Sequence, residues 1–198
     1  MRKLIVGMTG ASGAIFGVRL LQTLQDSDIE TYLVASKWAQ QTIEHETGRR
    51  FAEVREMATA SFNANDMGAA ISSGSFHTAG MVVAPCSMRS LAAIASGFSE
   101  HLVHRAADVI LKERRRLVLV TRETPLNDLH LQNMLTLSKM GVIILPPMPA
   151  FYNHPKTLDD VVDHIVARIL DQFDIDLGYE RRWQGEMRNR NAQVPPQN

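Results

Sequence analysis

The residues with the most evident chemistry form a glycine-rich segment near the start of the chain, Gly7-Met8-Thr9-Gly10-Ala11-Ser12-Gly13. It follows a short apolar run and precedes a helical pattern. Glycines at such a junction let backbone N–H groups approach an anion, which the amino terminus of the helix also favours. The spacing G-x-x-G-x-x-G is not the dinucleotide fingerprint, and the segment lacks the lysine of a phosphate-binding Walker loop. It predicts an anion-binding loop, with a ligand-free tight turn as the alternative.

Two serines stand at equivalent junctions later in the chain. Ser36 and Ser87 each follow an apolar run and precede a helical pattern. A serine there is a common helix cap, and it can equally hydrogen-bond a ligand's phosphate or ring, so both interpretations stay open. Ser36-Lys37 also replaces the acidic residue that would hold the ribose of NAD, which disfavours an NAD site.

The cysteine and two histidines suggest less chemistry. Cys86 has no base near it in the sequence, so we expect a small buried apolar residue rather than a nucleophile. As the single cysteine it forms no intrachain disulfide, which fits a reducing compartment. His101 and His104 stand three positions apart, and no further ligand completes a metal site at a diagnostic spacing. We therefore predict surface histidines and no metal.

Three basic or aromatic features are open to a phosphate-binding interpretation. Lys112 begins a basic run at the end of a predicted helix, where cations also complement the helix dipole. Arg168 lies at the edge of an apolar helical stripe, from which its guanidinium can reach a phosphate or form a salt bridge. The segment 146–153, rich in proline and aromatic residues, predicts a stiff loop that walls a pocket or simply connects two elements.

The elements that must position these residues alternate between apolar runs and helical patterns. Continuous apolar runs are typical of strands covered on both faces, and the alternation predicts a parallel sheet with helices on both sides, a three-layer α/β fold. Residues 48–79 have weaker periodicity and are predicted to be an excursion between strands. The predicted strands are Lys3–Met8, Glu30–Ala35, Gly80–Pro85, Leu117–Thr121 and Val142–Leu145, and the helices are Ala14–Gln25, Trp38–Thr47, Met88–Ser96, Val103–Arg115, Leu129–Met140 and Leu158–Phe173.

Composition narrows the class of protein. The chain has 198 residues, 45% of them hydrophobic, and its 21 basic residues balance its 21 acidic ones. This predicts one domain over residues 1–183 and a polar tail over 184–198. The charge balance gives no indication of a nucleic-acid or anionic membrane partner. The first apolar run is too short for a signal peptide and no run is long enough to cross a membrane, so we expect a cytoplasmic protein.

Taken together, the chain resembles the UbiX-type flavin prenyltransferases from about residue 3 to 183. The branch it resembles most is the one linked to phenolic-acid decarboxylases. The resemblance rests on an ordered set of segments: Gly10-Ala11-Ser12-Gly13, Ser36-Lys37, Cys86-Ser87, Arg105-Ala106-Ala107-Asp108, Leu111-Lys112-Glu113-Arg114, Arg122-Glu123-Thr124-Pro125, His130-Leu131-Gln132-Asn133-Met134-Leu135, Phe151-Tyr152 and Val166-Ala167-Arg168-Ile169-Leu170.

The resemblance implies a Rossmann-like, flavodoxin-like fold and a metal-independent transfer. A dimethylallyl group would pass from dimethylallyl phosphate to N5 and C6 of reduced FMN, and the product would serve a UbiD-type decarboxylase. It also implies a dodecamer with shared sites. By position, the FMN contacts would be Gly10, Ala11, Ser12, Ser36, Ser87, Met88, Arg89, Ser90 and Arg122. The donor would contact Tyr152, Arg168, Lys112 and Glu123, and the catalytic set would be Ser12, Glu46, Lys112, Glu123 and Tyr152.

Two other functions remain as alternatives. An FMN-dependent cysteine-type decarboxylase shares the fold, but its Pro-Ala-Met-Asn signature is replaced here by Pro85-Cys86-Ser87-Met88. A non-catalytic flavin-binding subunit of a decarboxylase would not need Lys112, Glu123, Tyr152 or Arg168. Both alternatives are therefore disfavoured.

Overall fold

A parallel sheet forms the middle layer of the computed structural model, which describes residues 2–176 and 178. Within these residues the sheet has six strands in the order β3-β2-β1-β4-β5-β6, and every neighbouring pair is parallel. All five predicted strands are confirmed, with small differences at their ends. The strands are β1 (Arg2–Met8), β2 (Ile29–Ala35), β3 (Ala60–Asn63), β4 (Gly80–Cys86), β5 (Arg116–Thr121) and β6 (Ile143–Ile144).

The helices cover both faces of the sheet, so the predicted three-layer fold is confirmed. Their bounds are α1 (Ala14–Gln25), α2 (Lys37–Thr47), α3 (Phe51–Glu56), α4 (Met88–Ala95), α5 (Leu102–Lys112), α6 (Asp128–Lys139) and α7 (Leu158–Asp171). Successive strand residues point to opposite faces. In β1, Leu4 and Val6 pack in the core under α1 and α7, whereas Ile5 packs in the core under α4 and α5.

The segment 48–79 is more ordered than its sequence suggests. It contains α3, β3 and a short 3₁₀ turn at Ala70–Ser72. β3 escaped prediction because it is a four-residue edge strand whose side chains are only partly buried, so it lacks the continuous apolar run of an inner strand. Because β3 adds to the outer side of β2, it leaves the arrangement around β1 and β4 unchanged.

Helix ends agree with the capping chemistry in most places. Thr157 Oγ1 accepts a hydrogen bond from the backbone N–H of Asp160, and Asp160 Oδ2 accepts one from the backbone N–H of Thr157, which together form a capping box at the start of α7. Helix α5 ends at Lys112, earlier than predicted, and Arg114 shortly afterwards takes the left-handed region at φ 55°. The basic run therefore belongs to the turn into β5 as much as to the helix.

None of the helices within residues 2–176 has the length and apolar character needed to cross a membrane. The predicted tail, 184–198, and the last residues of the predicted domain, 179–183, lie outside the described residues.

Candidate functional site

The loops that follow β1 and β4 meet where the strand order reverses. In a doubly wound sheet, connections from neighbouring strands diverge at this point and leave a crevice for a ligand. Thr9, 2% exposed, joins the two loops: its N–H and Oγ1 donate to Pro85 O at 3.1 and 2.9 Å, and its Oγ1 accepts from Ser87 N at 2.8 Å. We call the loops after β1, β2, β4 and β5 the carboxyl edge.

Ser36 and Ser87 both cap helices at this edge. Ser36 Oγ accepts from Ala39 N at 3.1 Å, and Ser87 Oγ accepts from Ser90 N at 3.2 Å. Ser36 N also donates to Met8 O at 3.0 Å, which ties the second loop to the first. The capping interpretation is therefore confirmed for both serines. Capping uses hydroxyl lone pairs, so Ser36 keeps its hydroxyl hydrogen for a ligand, whereas Ser87 Oγ donates its own to Ser90 Oγ at 3.2 Å.

Glu46 reaches the amino terminus of α1 from the last turn of α2. Its Oε2 accepts from Gly13 N at 2.8 Å and from Ala14 N at 2.9 Å. Gly13 lies at φ 97° and offers no side-chain cap of its own, so the carboxylate takes the place of one. In this structure the N–H groups of Gly13 and Ala14 donate to the Glu46 carboxylate, so the binding of a ligand anion by this loop stays a prediction.

Gly10 is required for close packing against α2. A Cβ at this position would lie 2.5 Å from Trp38 Cβ, closer than side chains approach one another. Trp38 is 68% exposed although it is a large aromatic residue. It lies beside the glycine-rich loop, and sequence reasoning did not single it out.

The remaining residues predicted to contact FMN divide into two groups. Arg122 lies at the edge itself: its Nε donates to Ser12 O at 3.3 Å and its N–H to Cys86 O at 3.3 Å. Met88 packs its side chain into the core, and Arg89 pairs with Glu100, so their side chains are engaged elsewhere. Any ligand contact from these two would come from the backbone.

Cys86 is fully buried at the end of β4. Burial raises the pKa of its thiol to about 12, because a thiolate cannot be solvated there. The prediction of a small buried residue without a nucleophilic role agrees with this environment.

Arg168 lies on the exposed side of α7, and Tyr152, from the loop before α7, packs against the same helix. The Tyr152 ring, on a residue that is 48% exposed, meets the His164 ring edge-on at 5.8 Å between centroids. Arg168, one turn beyond His164, forms an ion pair with Asp171. Burial, with help from the Arg168 charge, lowers the pKa of His164. The salt bridge considered for Arg168 is therefore present in the single chain.

Lys112 and Glu123 are not close to one another in the chain's topology. Lys112 is the last residue of α5, forms an ion pair with Glu113 and lies near Gly74. Glu123 follows β5, and its side chain accepts a hydrogen bond from the backbone N–H of the next residue, Thr124. Because only residues 113–115 separate the end of α5 from the start of β5, Lys112 lies at the edge where strands begin. Strands of six or seven residues separate that edge from Ser12 by about 20 Å.

The predicted donor residues are thus distributed over the surface of one chain. Lys112 belongs to the helix layer on one face of the sheet, and Arg168 to the layer on the other face. The carboxyl end of α7 also lies where strands begin, since Arg2 Nη1 donates to Phe173 O at 3.3 Å. One chain brings together the predicted flavin residues but not the predicted donor residues.

The histidine prediction was wrong for one residue. His104 is only 2% exposed, and its Nε2 lies 3.1 Å from Ser90 Oγ. His101 is half-buried and stacks on it at 3.9 Å between ring centroids. Burial lowers the pKa of both, that of His104 to about 4, and the neighbouring His101 and Arg89 add to the effect on His104. The i, i+3 spacing of the two histidines predicts a shared helix face, but it does not show that the His104 ring lies in an apolar environment.

Known proteins are similar to this chain in sequence and in structure over nearly its whole length. The family model named Flavoprotein matches residues 1–170. A protein of Bacillus subtilis, a probable UbiX-like flavin prenyltransferase, is 63% identical over 183 residues, covering 92% of this chain and 90% of its own length. The crystal structure of a dodecameric FMN-dependent UbiX-like decarboxylase from Escherichia coli O157:H7 is 60% identical with a TM-score of 0.91, covering 92% of this chain and 100% of its own.

A second solved structure, AnUbiX (PadA1) in complex with FMN and dimethylallyl pyrophosphate, is 52% identical with a TM-score of 0.92. It covers 94% of this chain and 99% of its own. Sequence identities of 52% to 63% over more than 90% of the chain show membership of the same family, not only a similar fold. The chain therefore belongs to the UbiX-like flavin prenyltransferases of the Flavoprotein family.

Proposed function

We propose that the chain transfers a dimethylallyl group from dimethylallyl phosphate to N5 and C6 of reduced FMN, which makes prenylated FMN. The observation that supports this most is the carboxyl edge. Its hydroxyls, loop N–H groups and Arg122 converge at the strand-order switch of a chain that is 52% identical to a relative holding FMN and a prenyl donor.

FMN fits the residues of the carboxyl edge. Ser36 and Ser87 present hydroxyls, Arg122 a cation and the loop at Gly10 a surface that a side chain would fill. A phosphate needs such donors, and its charge is favoured by the helix amino termini there. FMN in its reduced form supplies the two nucleophilic ring atoms. Ala11, Ser12 and Ser90 complete the proposed contacts, with Met88 and Arg89 contributing backbone.

The donor needs cations, because breaking its allylic C–O bond leaves negative charge on the departing phosphate. Lys112, Arg122 and Arg168 are proposed to stabilise that charge by charge-assisted hydrogen bonds, without a metal ion. Tyr152 offers an aromatic face to the developing allyl cation. Glu123, at the carboxyl edge, is proposed to orient the donor's phosphate contacts.

Glu46 is proposed to move the proton that leaves C6 when the second bond forms. Its carboxylate lies on the N–H groups of Gly13 and Ala14, directly beside Ser12. That position supports a relay in which Glu46 accepts the proton and Ser12 or the released phosphate passes it on.

An assembly is required by this proposal, since Lys112 and Arg168 lie on opposite faces of one chain. A homologous structure is dodecameric, and we propose the same assembly here, with each site taking its flavin residues and its donor residues from different copies. Exposed apolar side chains on α6, Leu131 and Leu135, are available for such contacts.

A decarboxylase activity is less well supported, although one relative carries that name. Pro85-Cys86-Ser87-Met88 stands in place of the Pro-Ala-Met-Asn signature of the cysteine-type decarboxylases, and Cys86 itself, buried with a pKa of about 12, is no nucleophile. A non-catalytic flavin-binding subunit would not need the exposed cations of α5 and α7. We further propose a UbiD-type decarboxylase as recipient of the product and the cytoplasm as the location, where Cys86 stays reduced.

The test is anaerobic incubation of the purified protein with reduced FMN and dimethylallyl phosphate, followed by mass spectrometry of the released flavin. We expect a flavin heavier by one five-carbon isoprene unit, with inorganic phosphate as the second product. Dimethylallyl pyrophosphate serves as the parallel donor, because a relative binds it. An unchanged flavin with either donor contradicts the proposal, and loss of carbon dioxide from an added aromatic acid would favour a decarboxylase.

A further inference from the structure

A cluster of three potential metal ligands lies just before and within the first turn of α5. It consists of Glu100, His101 and His104, and one ligand atom from each lies within 4.8 Å of those of the other two. Glu100 is exposed, His101 half-buried and His104 buried. The cluster therefore leads from solvent to the core, so an ion could enter it from the surface.

The histidine nitrogens of the cluster are unusually placed. The Nδ1 atoms of His101 and His104 are both buried, and neither finds a hydrogen-bond partner among the described residues. Buried polar atoms are normally paired, so two adjacent unpaired nitrogens point to a missing ligand. An imidazole nitrogen with a free lone pair is the commonest metal ligand in proteins.

The second nitrogen of His104 has a hydrogen-bond partner of its own, a serine hydroxyl. Its Nε2 lies 3.1 Å from Ser90 Oγ, which fixes the ring and leaves Nδ1 for the cluster. Ser90 Oγ in turn accepts from Ser87 Oγ at 3.2 Å. The cluster is thus connected to the carboxyl edge through one hydroxyl.

We propose that Glu100, His101 and His104 bind a divalent transition-metal ion, with Zn²⁺ as the ion that fits this donor set best. Two imidazoles and one carboxylate are a zinc ligand set that leaves a fourth position for water. Tetrahedral zinc at normal bond lengths needs ligand atoms about 3.4 Å apart, so the side chains must close by roughly 1 Å. His101 and Glu100 retain the exposure that such rotations require.

Arg89 is the neighbouring charge that the ion must accommodate. Its Nη2 donates to Glu100 Oε1 at 2.7 Å and to Oε2 at 2.9 Å. A carboxylate has lone pairs for both an arginine and a metal, so Arg89 can remain as an outer partner that orients Glu100. The ion would fix the His104 ring against Ser90 and so support the flavin loop. It has no role in the transfer chemistry itself.

The test uses the full chain without an affinity tag, freed of metal with a chelator and dialysed. Calorimetric titration with zinc chloride, without flavin, should give one Zn²⁺ per chain. His104→Leu should abolish this binding, and His101→Ala or Glu100→Gln should weaken it about ten-fold or more. His77→Ala, an exposed histidine outside the cluster, is the matched control and should bind as the wild type does.

Cobalt gives a second readout that reports the ligands. Co²⁺ bound by two imidazoles should show visible absorption bands that Zn²⁺ abolishes and that His101→Ala changes. If His104→Leu fails to fold by circular dichroism, the two more exposed positions decide the matter. The absence of saturable binding, or equal binding by wild type, His101→Ala and Glu100→Gln, overturns the site. Either result leaves the prenyl transfer untouched, because no flavin is present.

Discussion

The carboxyl edge and the cations proposed for the donor are held in different ways. Residues of the edge are bonded to one another across loops: Thr9 joins Pro85 and Ser87, and Arg122 reaches the glycine-rich segment. Lys112 and Arg168 instead are half-exposed, and each pairs with an acid a few positions away in its own chain. Exposed pairs of this kind contribute little to stability.

The difference indicates which half of the site a single chain can complete. The edge is fixed by the fold, because its bonds connect the ends of neighbouring strands. Lys112 can exchange Glu113 for a phosphate at small cost, since that pair is solvated, whereas Arg168 would leave Asp171, whose side chain is only 14% exposed. We therefore expect substitutions at the edge to affect flavin binding, and substitutions of the cations to affect transfer alone.

The largest expected effect is on transfer in Lys112→Met. Removing a cation that stabilises a departing phosphate should slow prenyl transfer about 100-fold or more. FMN affinity, measured by fluorescence quenching, should remain within about two-fold, because Lys112 is assigned to the donor's phosphate and makes no proposed contact with FMN. Lys139→Met, on the exposed end of α6, is the matched control and should transfer normally. Parallel loss of flavin binding would contradict the separation of the two regions.

The next effect is on flavin binding in Gly10→Val. Its Cβ would collide with Trp38 Cβ, and the loop must move to relieve the contact. Overpacking of this size should weaken FMN binding about ten-fold or more. Gly68→Ala is the control, because its nearest neighbour is 3.5 Å away and belongs to an exposed acid. Unchanged FMN affinity in Gly10→Val would show that the loop is not a contact surface.

Much of this arrangement could be predicted from the sequence, for a definite reason. Strand–helix junctions are marked by residue type, so Thr9, Ser36, Ser87 and Arg122 could be assigned to one edge without coordinates. The burial of His104 could not be predicted, because the sequence does not show that the Ser90 hydroxyl pairs with a histidine on the apolar face of α5. The separation of Lys112 from Arg168 was also hidden, since chain order does not state which face a helix covers.

Mixed assemblies can test whether the two regions meet between copies. With FMN well below the dissociation constant of Gly10→Val, chains carrying Lys112→Met or Gly10→Val are each expected to have little activity alone. If a site takes the edge from one chain and Lys112 from another, random one-to-one mixing leaves about a quarter of the sites intact. Activity should therefore return to about a quarter of the wild-type value after joint refolding or coexpression. No recovery, despite proven mixed assemblies, would place both residues in the same chain's site.

The smallest effect concerns the support of the edge by His104 in metal-free protein. Its pKa of about 4 is below the ordinary value of 6.5, mainly through burial and secondly through His101 and Arg89. The unfolded chain therefore binds more protons between these values, so stability is complete above pH 6.5 and falls as the pH decreases. Between about pH 7 and pH 5.5 the free energy of unfolding should fall by roughly 1 kcal/mol from this residue. His104→Gln can keep a bond to Ser90 without titrating, so urea titrations at both pH values should show a smaller fall than in the wild type. An equal fall in both proteins would assign the pH dependence to other groups, His101 first among them.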